Sequence, residues 1–388
     1  MKLKELSKNL LLLFVSLLIF FLFLEMGVRI FSPESKRINQ FHEVLGVTLI
    51  PNITFENQTE EFGLLSHQTN SLGFVDSEHK FEKNEEIYRI VVLGDSWAEA
   101  TQVSLDKTFR KILEKRLNDL NTDKKFEVIS LGCTGYDTNE EYLSLEEIGF
   151  KYNPDLVILT TFAGNDIFYN SLLLSNEPGE PYFDLENGSL KQVQYAKAIS
   201  HGELISLINK YFRSPRFLYK KFQLLKRGID SLISQFSNWT DKEAVVGSLN
   251  PWYVYKRDYD FDWEKTWQIT EALIEKMRDD SKKRNADFLL INIPSPFEIN
   301  PELWNNVLNQ YPSMKKLDWD LEKPNRIFKD FSKEKNIYYL DLFSSFREYV
   351  AKTGQELYDD HFNSNGHRLM AELIYNFLMD NNLIKTKL

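Results

Sequence analysis

A serine follows directly on a short β-branched run, in a position suited to nucleophilic catalysis. Arg89 to Trp97 reads Arg-Ile-Val-Val-Leu-Gly-Asp-Ser-Trp, and a helical pattern comes next. A strand, a turn and a helix in this order would place Ser96 at the carboxyl end of a buried strand, where open α/β sheets bind their ligands. Ser96 can act as a nucleophile only if a base and an oxyanion site exist elsewhere in the chain. Otherwise it is an ordinary helix cap.

A histidine near the C-terminus is a candidate for that base. Asp359 and Asp360 directly precede His361. A tight turn would let the Asp359 carboxylate orient the imidazole, and His361 would then accept the serine proton. Adjacent side chains tend to point in different directions, so we expect only one aspartate to serve, and Asp359 is favoured over Asp360. In the alternative interpretation, His361 only precedes a final helix capped by Asn363 or Ser364.

Two further segments supply candidate oxyanion donors. Gly135 ends the segment Leu-Gly-Cys-Thr-Gly, and Asn165 lies in Gly-Asn-Asp; each segment follows a strand-like run. The backbone amides of Ser96 and Gly135, together with the side-chain amide of Asn165, are the donors that an oxyanion hole needs. Taken alone, Gly135 is better explained as a turn glycine with positive φ, and Asn165 as a loop residue that bonds its own backbone.

The order of these segments resembles the SGNH (GDSL-like) hydrolase family. Its four signature residues map to Ser96, Gly135, Asn165 and His361, and the resemblance covers roughly residues 89–378 apart from a long insertion. It implies a serine esterase that hydrolyses acyl esters, with O-acetyl groups on cell-surface or exported carbohydrate as the expected substrate and with no cofactor.

A second segment is similar to the membrane-anchored bacterial members of this family. These members carry Asn-x-x-Gly-Phe before the catalytic core, and here Asn70 to Phe74 fits that pattern. The commonest family spacing puts the acid three residues before the histidine, where this chain has Tyr358. The anchored members use Asp-x-His, which favours Asp359.

Two other functions fit the same residues. An O-acyltransferase would pass the acyl group to an exported polysaccharide and would need a separate acyl donor or a membrane acyltransferase as partner. A polysaccharide-binding or assembly protein would keep the fold without catalysis. The complete signature set argues against this last function.

Composition excludes some classes of protein. The chain of 388 residues has a net charge of −10, which argues against a nucleic-acid partner. Its six histidines are scattered without metal-ligand spacing, so we expect no metal. The single cysteine, Cys133, is expected to pack as a small apolar residue.

The N-terminus has the pattern of a signal anchor. An apolar run interrupted by one serine extends from residue 10 to residue 24, after Lys2, Lys4 and Lys8. The positive-inside rule then predicts a cytoplasmic segment 1–8, a transmembrane span 9–28 and a catalytic domain outside the cytoplasm. A small-residue cleavage site is missing after the run, which favours an uncleaved anchor over a signal peptide.

The rest of the chain predicts an α/β fold. Residues 29–86 are polar, poorly periodic and typical of a stalk or loosely packed lead-in, and residues 87–388 form the hydrolase domain. Strands alternate with helices, which predicts a flavodoxin-like three-layer α/β/α fold with a mainly parallel five-stranded sheet. The predicted strands are Arg89–Leu93, Glu127–Leu131, Leu156–Thr161, Asp287–Ile293 and Ile337–Asp341. The predicted helices are Leu105–Leu120, Asn139–Gly149, Trp263–Arg284, Arg326–Glu334 and Gly366–Phe377.

Residues 171–259 interrupt this alternation and predict a helical cap inserted beside the oxyanion loop. A basic helical stretch within it would meet membrane phosphates or an anionic polymer, or else form a solvated helix face. Its basic residues are Arg213, Arg216, Lys220, Lys221, Lys226 and Arg227.

Overall fold

The computed structural model describes residues 2–31, 38–175, 180–193 and 251–384. The chain divides into two compact units. The first contains the N-terminal helix, and the second begins at Ile38 and contains the candidate site.

The second unit contains a five-stranded sheet and three two-stranded ones. In chain order, the strands are β1 (Asn39–His42), β2 (Gly46–Leu49), β3 (Thr54–Thr59), β4 (Gly63–Gln68), β5 (Ile87–Leu93), β6 (Lys125–Ser130), β7 (Leu156–Thr161), β8 (Tyr182–Glu186), β9 (Ser189–Val193), β10 (Asp287–Asn292) and β11 (Tyr338–Asp341). The large sheet has the order β11-β10-β7-β5-β6, and every neighbouring pair in it is parallel. This is the flavodoxin-like order, since the strand that comes second in sequence lies outside the first.

The described α-helices are α1 (Lys2–Phe31), α2 (Ser96–Glu99), α3 (Phe109–Asn118), α4 (Thr138–Glu147), α5 (Asp166–Tyr169), α6 (Phe261–Lys283), α7 (Pro296–Ile299), α8 (Pro301–Gln310), α9 (Lys323–Lys335), α10 (Leu342–Thr353) and α11 (Ser364–Asp380). Short 3₁₀ turns cover Leu105–Lys107, Gly149–Tyr152, Pro251–Tyr255 and Pro312–Lys316.

The sheet separates two apolar layers because alternate side chains of a strand point to opposite faces. On β5, Val91 and Leu93 pack into one layer, while Ile90 and Val92 pack into the other. Helices α4, α6 and α9 cover the first face, and α3, α10 and α11 cover the second. The predicted three-layer architecture is therefore confirmed, as are all five predicted core strands to within two residues at each end.

The segment before β5 differs from the prediction. Residues 38–86 are not a stalk, because they form two antiparallel hairpins, β1–β2 and β3–β4, within the same compact unit as the sheet. Leu49, Phe55 and Phe74 of this segment are buried in the core cluster on one face of the sheet. The carboxylate of Asp76 also accepts a hydrogen bond from Ser130 N at the end of β6, 2.8 Å away.

The described part of the insertion contains a hairpin that the sequence did not predict, whereas the predicted helical cap falls mostly on residues 194–250, outside the described residues. The start of the insertion forms the antiparallel hairpin β8–β9, and Asp184 on this hairpin is paired with Lys265 of α6 at 2.7 Å. Each strand is five residues long, and the hairpin contacts α6, which lies about 70 residues later in the sequence, so no local pattern indicates this contact. The basic stretch around residues 213–227 lies outside the described residues.

The N-terminal unit contains one helix long and apolar enough to cross a membrane. The apolar segment runs from Lys8 to Ile30, a length of 23 residues, and an 18-residue stretch within it has a mean hydropathy of 2.7. Near its end, Arg29 pairs with Glu25 at 2.7 Å, one helical turn earlier. Length and composition agree with the predicted span, and a signal sequence would share both properties.

Candidate active site

Ser96 lies at the carboxyl end of β5 because the chain turns sharply at Gly94. A side chain on Gly94 would clash with the hydroxyl of Thr160 on β7 and with Ala98 of α2, so only glycine fits between them. Asp95 then caps α2, and its Oδ1 accepts a hydrogen bond from Trp97 N at 2.9 Å. The turn therefore presents Ser96 as the first residue of a helix above the sheet.

The side chains of Ser96 and His361 are in contact, although 265 positions separate the two residues in sequence. Ser96 Oγ lies 2.8 Å from His361 Nε2, which is within the range for proton transfer from a serine to a general base. The predicted nucleophile and base are thus brought together by the fold.

His361 lies on the loop between α10 and α11, which several contacts hold in place. Tyr358 OH donates to Pro294 O, just beyond β10, at 2.8 Å, and Asp359 N donates to His361 O at 2.8 Å. Asn363 caps α11 by accepting hydrogen bonds from the second and third residues that follow it. The predicted cap is therefore present, and it coexists with the contact between His361 and Ser96.

The carboxylate beside His361 is not the predicted one. Asp360 Oδ2 lies 3.2 Å from His361 Nδ1, and the Asp360 side chain is 87% exposed. Asp359 instead uses its backbone amide to close the turn, and its carboxyl interacts with Asn363. The prediction of an Asp359–His361 pair is wrong, because the carboxylate next to the ring is that of Asp360 and the Asp359 carboxyl interacts with Asn363 instead.

The environment of His361 keeps its imidazole neutral near pH 7. Burial lowers the pKa of His361 from its ordinary value of 6.5, and the attraction of Asp360 opposes this effect. A neutral ring that carries its proton on Nδ1, toward Asp360, leaves Nε2 to accept the Ser96 proton.

Asn165 follows β7, the strand next to β5, and faces the same turn. Its Nδ2 donates to Asp95 Oδ2 at 2.9 Å, and its Oδ1 accepts from Asp166 N at the same distance. An amide nitrogen has two hydrogens, so the second is available to a substrate oxygen. Asp166 Oδ2 accepts from Phe162 N at 2.8 Å, which makes Asp166 a brace of the loop.

Gly135 lies in an exposed turn after β6, on the other side of β5. Its φ of +91° favours glycine, although a Cβ there would meet nothing within 4 Å. The loop is tied to the nucleophile turn by a hydrogen bond from Cys133 N to Gly94 O at 3.2 Å. Cys133 itself is buried, and burial raises the pKa of its thiol well above the ordinary value, so it packs as an apolar residue.

Three buried carboxyls, those of Asp95, Glu141 and Asp166, lie near Asn165, and no sequence pattern predicted this group. Burial raises the pKa of Asp95 to about 6, and it raises those of Glu141 and Asp166 well above their ordinary values. Repulsion among these three carboxyls adds to the effect, since like charges in an apolar environment resist joint ionisation. Burial and mutual repulsion therefore both favour the protonated form of these carboxyls.

Comparison with known proteins gives only distant likenesses. No family model matches the chain, and no curated protein matches it either. Among solved structures, it is similar to the acetyl xylan esterase AlAXEase, with 16% identity, a TM-score of 0.39, and coverage of 74% of this chain and 98% of the other. It is also similar to a lipase/acylhydrolase from Enterococcus faecalis, with 15% identity, a TM-score of 0.39, and coverage of 78% and 99%.

A third similar structure is a catalytic mutant of Axe2, an acetylxylan esterase from Geobacillus stearothermophilus. It has 13% identity, a TM-score of 0.38, and coverage of 75% of this chain and 94% of the other. Because all three TM-scores lie well below 0.5, these likenesses carry no conclusion about activity.

Proposed function

We propose that this chain is a serine esterase. The observation that carries the proposal is the distance of 2.8 Å between Ser96 Oγ and His361 Nε2, at the carboxyl end of a parallel sheet. A serine hydroxyl is a weak nucleophile unless an adjacent base accepts its proton, and His361 supplies that base.

In the proposed reaction, Ser96 Oγ attacks the ester carbonyl while its proton moves to His361 Nε2. The amides of Ser96 and Gly135 and the Asn165 side chain stabilise the resulting oxyanion. The carbon–oxygen bond to the alcohol then breaks, and His361 returns the proton to the leaving alcohol. Water, deprotonated by His361, attacks the acyl-enzyme and releases the acid and the free serine.

We propose that Asp360, rather than Asp359, is the carboxylate of the Ser–His–Asp triad. The Asp360 carboxylate is the one next to His361 Nδ1, and it stabilises the imidazolium that forms in each step. Because Asp360 is largely exposed, water screens this interaction and its contribution is small.

The expected substrate is an O-acetyl ester on a cell-surface or exported carbohydrate. This part of the proposal depends on the family resemblance and on the N-terminal helix, which we propose is an uncleaved anchor with its N-terminus in the cytoplasm. N-terminal sequencing of the membrane-bound protein tests the anchor, and a mature terminus after residue 28 on a soluble protein would contradict it.

The activity is tested with the full-length chain in detergent. We expect acetate release from acetylated xylo-oligosaccharide, and p-nitrophenol release from p-nitrophenyl acetate, without any added acceptor. Ser96→Ala should abolish both. Transfer of acetyl only in the presence of a sugar acceptor would identify an acyltransferase instead. Equal rates for wild type and Ser96→Ala would refute a serine mechanism.

A further inference from the structure

The carboxylate contact at His361 is too exposed to hold the ring firmly. Asp360 lies next to His361 in sequence, its closest oxygen is 3.2 Å from Nδ1, and 87% of its side chain is exposed. Water screens such a pair, and a mobile exposed side chain holds its partner poorly. Another contact must therefore align the imidazole with Ser96.

Trp97 provides that contact. Its indole packs against the His361 ring, with a centroid distance of 4.6 Å and an angle of 42° between the planes. The same indole contacts Phe162, which precedes the Asn165 loop, at 5.0 Å, and Phe362 at 4.8 Å. Trp97 is only 4% exposed, so these contacts fix its own orientation as well. The Trp97 side chain thus connects the turn that carries Ser96 with the loop that carries Asn165 and the loop that carries His361.

We infer that Trp97 is a positioning residue for His361, and that the imidazole depends more on the Trp97 indole than on the Asp360 carboxylate for its alignment with Ser96. The inference rests on the proposed function, since it concerns the same nucleophile and base. In this role Trp97 takes no proton and forms no bond, and it acts through the orientation and the desolvation of the imidazole against which it packs.

The indole also affects the proton affinity of His361. Burial is the largest influence on the pKa of His361 and lowers it, and Trp97 forms part of the surface that excludes water from the ring. Asp360 is the charged group that acts on His361, and His361 in turn acts on the buried His367 of α11, which Arg110 also affects. The neighbouring Asp359 carboxyl interacts with Glu60 and Glu61 of the β3–β4 turn and with Glu356. None of these groups changes when Trp97 is replaced, so a shift in the titration of His361 reports the loss of the indole.

The experiment measures the second-order rate of Ser96 labelling by a fluorophosphonate probe between pH 5 and 9, on the full chain in detergent. The variants are Trp97→Leu, Trp97→Phe and Asp360→Asn. Trp267→Leu is the matched control, because it removes a buried indole that packs against Phe328 of α9. Thermal unfolding of every variant accompanies the labelling.

We expect Trp97→Leu to slow labelling by about 10- to 100-fold, because a displacement of about 1 Å at a reacting group can cost on the order of a hundredfold in rate. The pH midpoint should also rise toward 6.5 as water reaches His361. Trp97→Phe should retain most of the rate, and Asp360→Asn should lose less than Trp97→Leu. Trp267→Leu should unfold at a lower temperature yet keep the wild-type midpoint.

A Trp97→Leu variant with an unchanged rate and midpoint would overturn the inference, and so would an Asp360→Asn variant that is slower than Trp97→Leu. Wild-type protein that labels at Ser96 but hydrolyses no ester would refute the esterase and leave the inference about Trp97 intact. Wild-type protein that does not label would refute both.

Discussion

The nucleophile side and the base side of the candidate site are held in different ways. Ser96 and Asn165 follow adjacent parallel strands, and hydrogen bonds to the buried Asp95 carboxyl join their two turns. His361 lies on a loop between two helices, beside a carboxylate that faces water. The sheet therefore fixes the nucleophile and the oxyanion donor, whereas the base depends on side-chain packing, and the two sides should respond differently to mutation.

The largest effect is expected at the base itself. His361→Ala removes the only proton acceptor beside Ser96 Oγ among the residues that the structure describes, and it should lower kcat by about 10⁴-fold or more. Steady-state ester hydrolysis measures the loss, and circular dichroism checks the fold. A decrease of less than tenfold would mean that another group activates the serine.

Asn165→Ala tests the nucleophile side and should have the next largest effect. Loss of one oxyanion donor typically lowers kcat by about 10²–10³-fold. The variant also leaves the buried Asp95 carboxyl without its amide partner, so the protein should unfold at a lower temperature as well. Asn118→Ala is the control, since Asn118 bonds backbone groups at the opposite end of β6. Unchanged kcat in Asn165→Ala would make Asn165 a structural residue only.

Replacement of the two aspartates should have a smaller effect and directly tests the corrected assignment. Asp360→Asn should lower kcat by less than about tenfold, because an exposed ion pair contributes about 1 kcal/mol or less. It should also move the pH midpoint of kcat/KM downward, since Asp360 raises the pKa of His361. Asp359→Asn should leave both quantities nearly unchanged. A loss of about 10⁴-fold in Asp359→Asn would instead restore the original sequence-based assignment.

The smallest expected effect is on thermal stability, and it comes from replacing Glu141, one of the buried carboxyls near Asp95 and Asp166. Both oxygens of Glu141 are buried without a hydrogen-bond partner in the described part of the chain. Its pKa is raised above 4.5 in the folded protein, so its contribution to stability is complete below that pH and is lost as the pH rises through the folded pKa. Glu141→Gln stays neutral and should raise Tm at pH 8 more than at pH 5, by roughly 2–4 °C for each kcal/mol gained.

Differential scanning calorimetry of Glu141→Gln at the two pH values makes this measurement, with the exposed Glu372→Gln as the control. Equal shifts at pH 5 and pH 8 would show that Glu141 is ionised in the folded protein.

The contrast between the strand ends and the histidine loop also explains which parts of the site could be predicted from the sequence. The strand ends carried strong local patterns, so Ser96, Asn165 and the order of the core strands could be predicted from them. The role of Trp97 could not, since it depends on a loop more than 250 positions away, although its place directly after Ser96 was a hint. The choice between Asp359 and Asp360 depended on the direction in which a turn projects adjacent side chains, which spacing alone does not determine.

The structure of residues 38–86 also depends on contacts with distant residues, so local sequence patterns did not predict it. Strands β1 to β4 are only four to six residues long, and their stability depends on burying residues such as Leu49 and Phe55 against the sheet. Short strands with few apolar residues have weak periodicity, so this segment resembled a stalk. Helix α10 was not predicted, although its apolar positions Leu342, Phe346 and Tyr349 follow helical spacing.

The central claim is that Ser96 is a nucleophile activated by His361. The most direct test is to treat the full-length protein with a fluorophosphonate and to map the adduct by peptide mass spectrometry. We expect one phosphonylated residue, Ser96, in the wild type and none in His361→Ala. An adduct on a different residue with Ser96 unmodified, or equal labelling of Ser96 in the two proteins, would contradict the account.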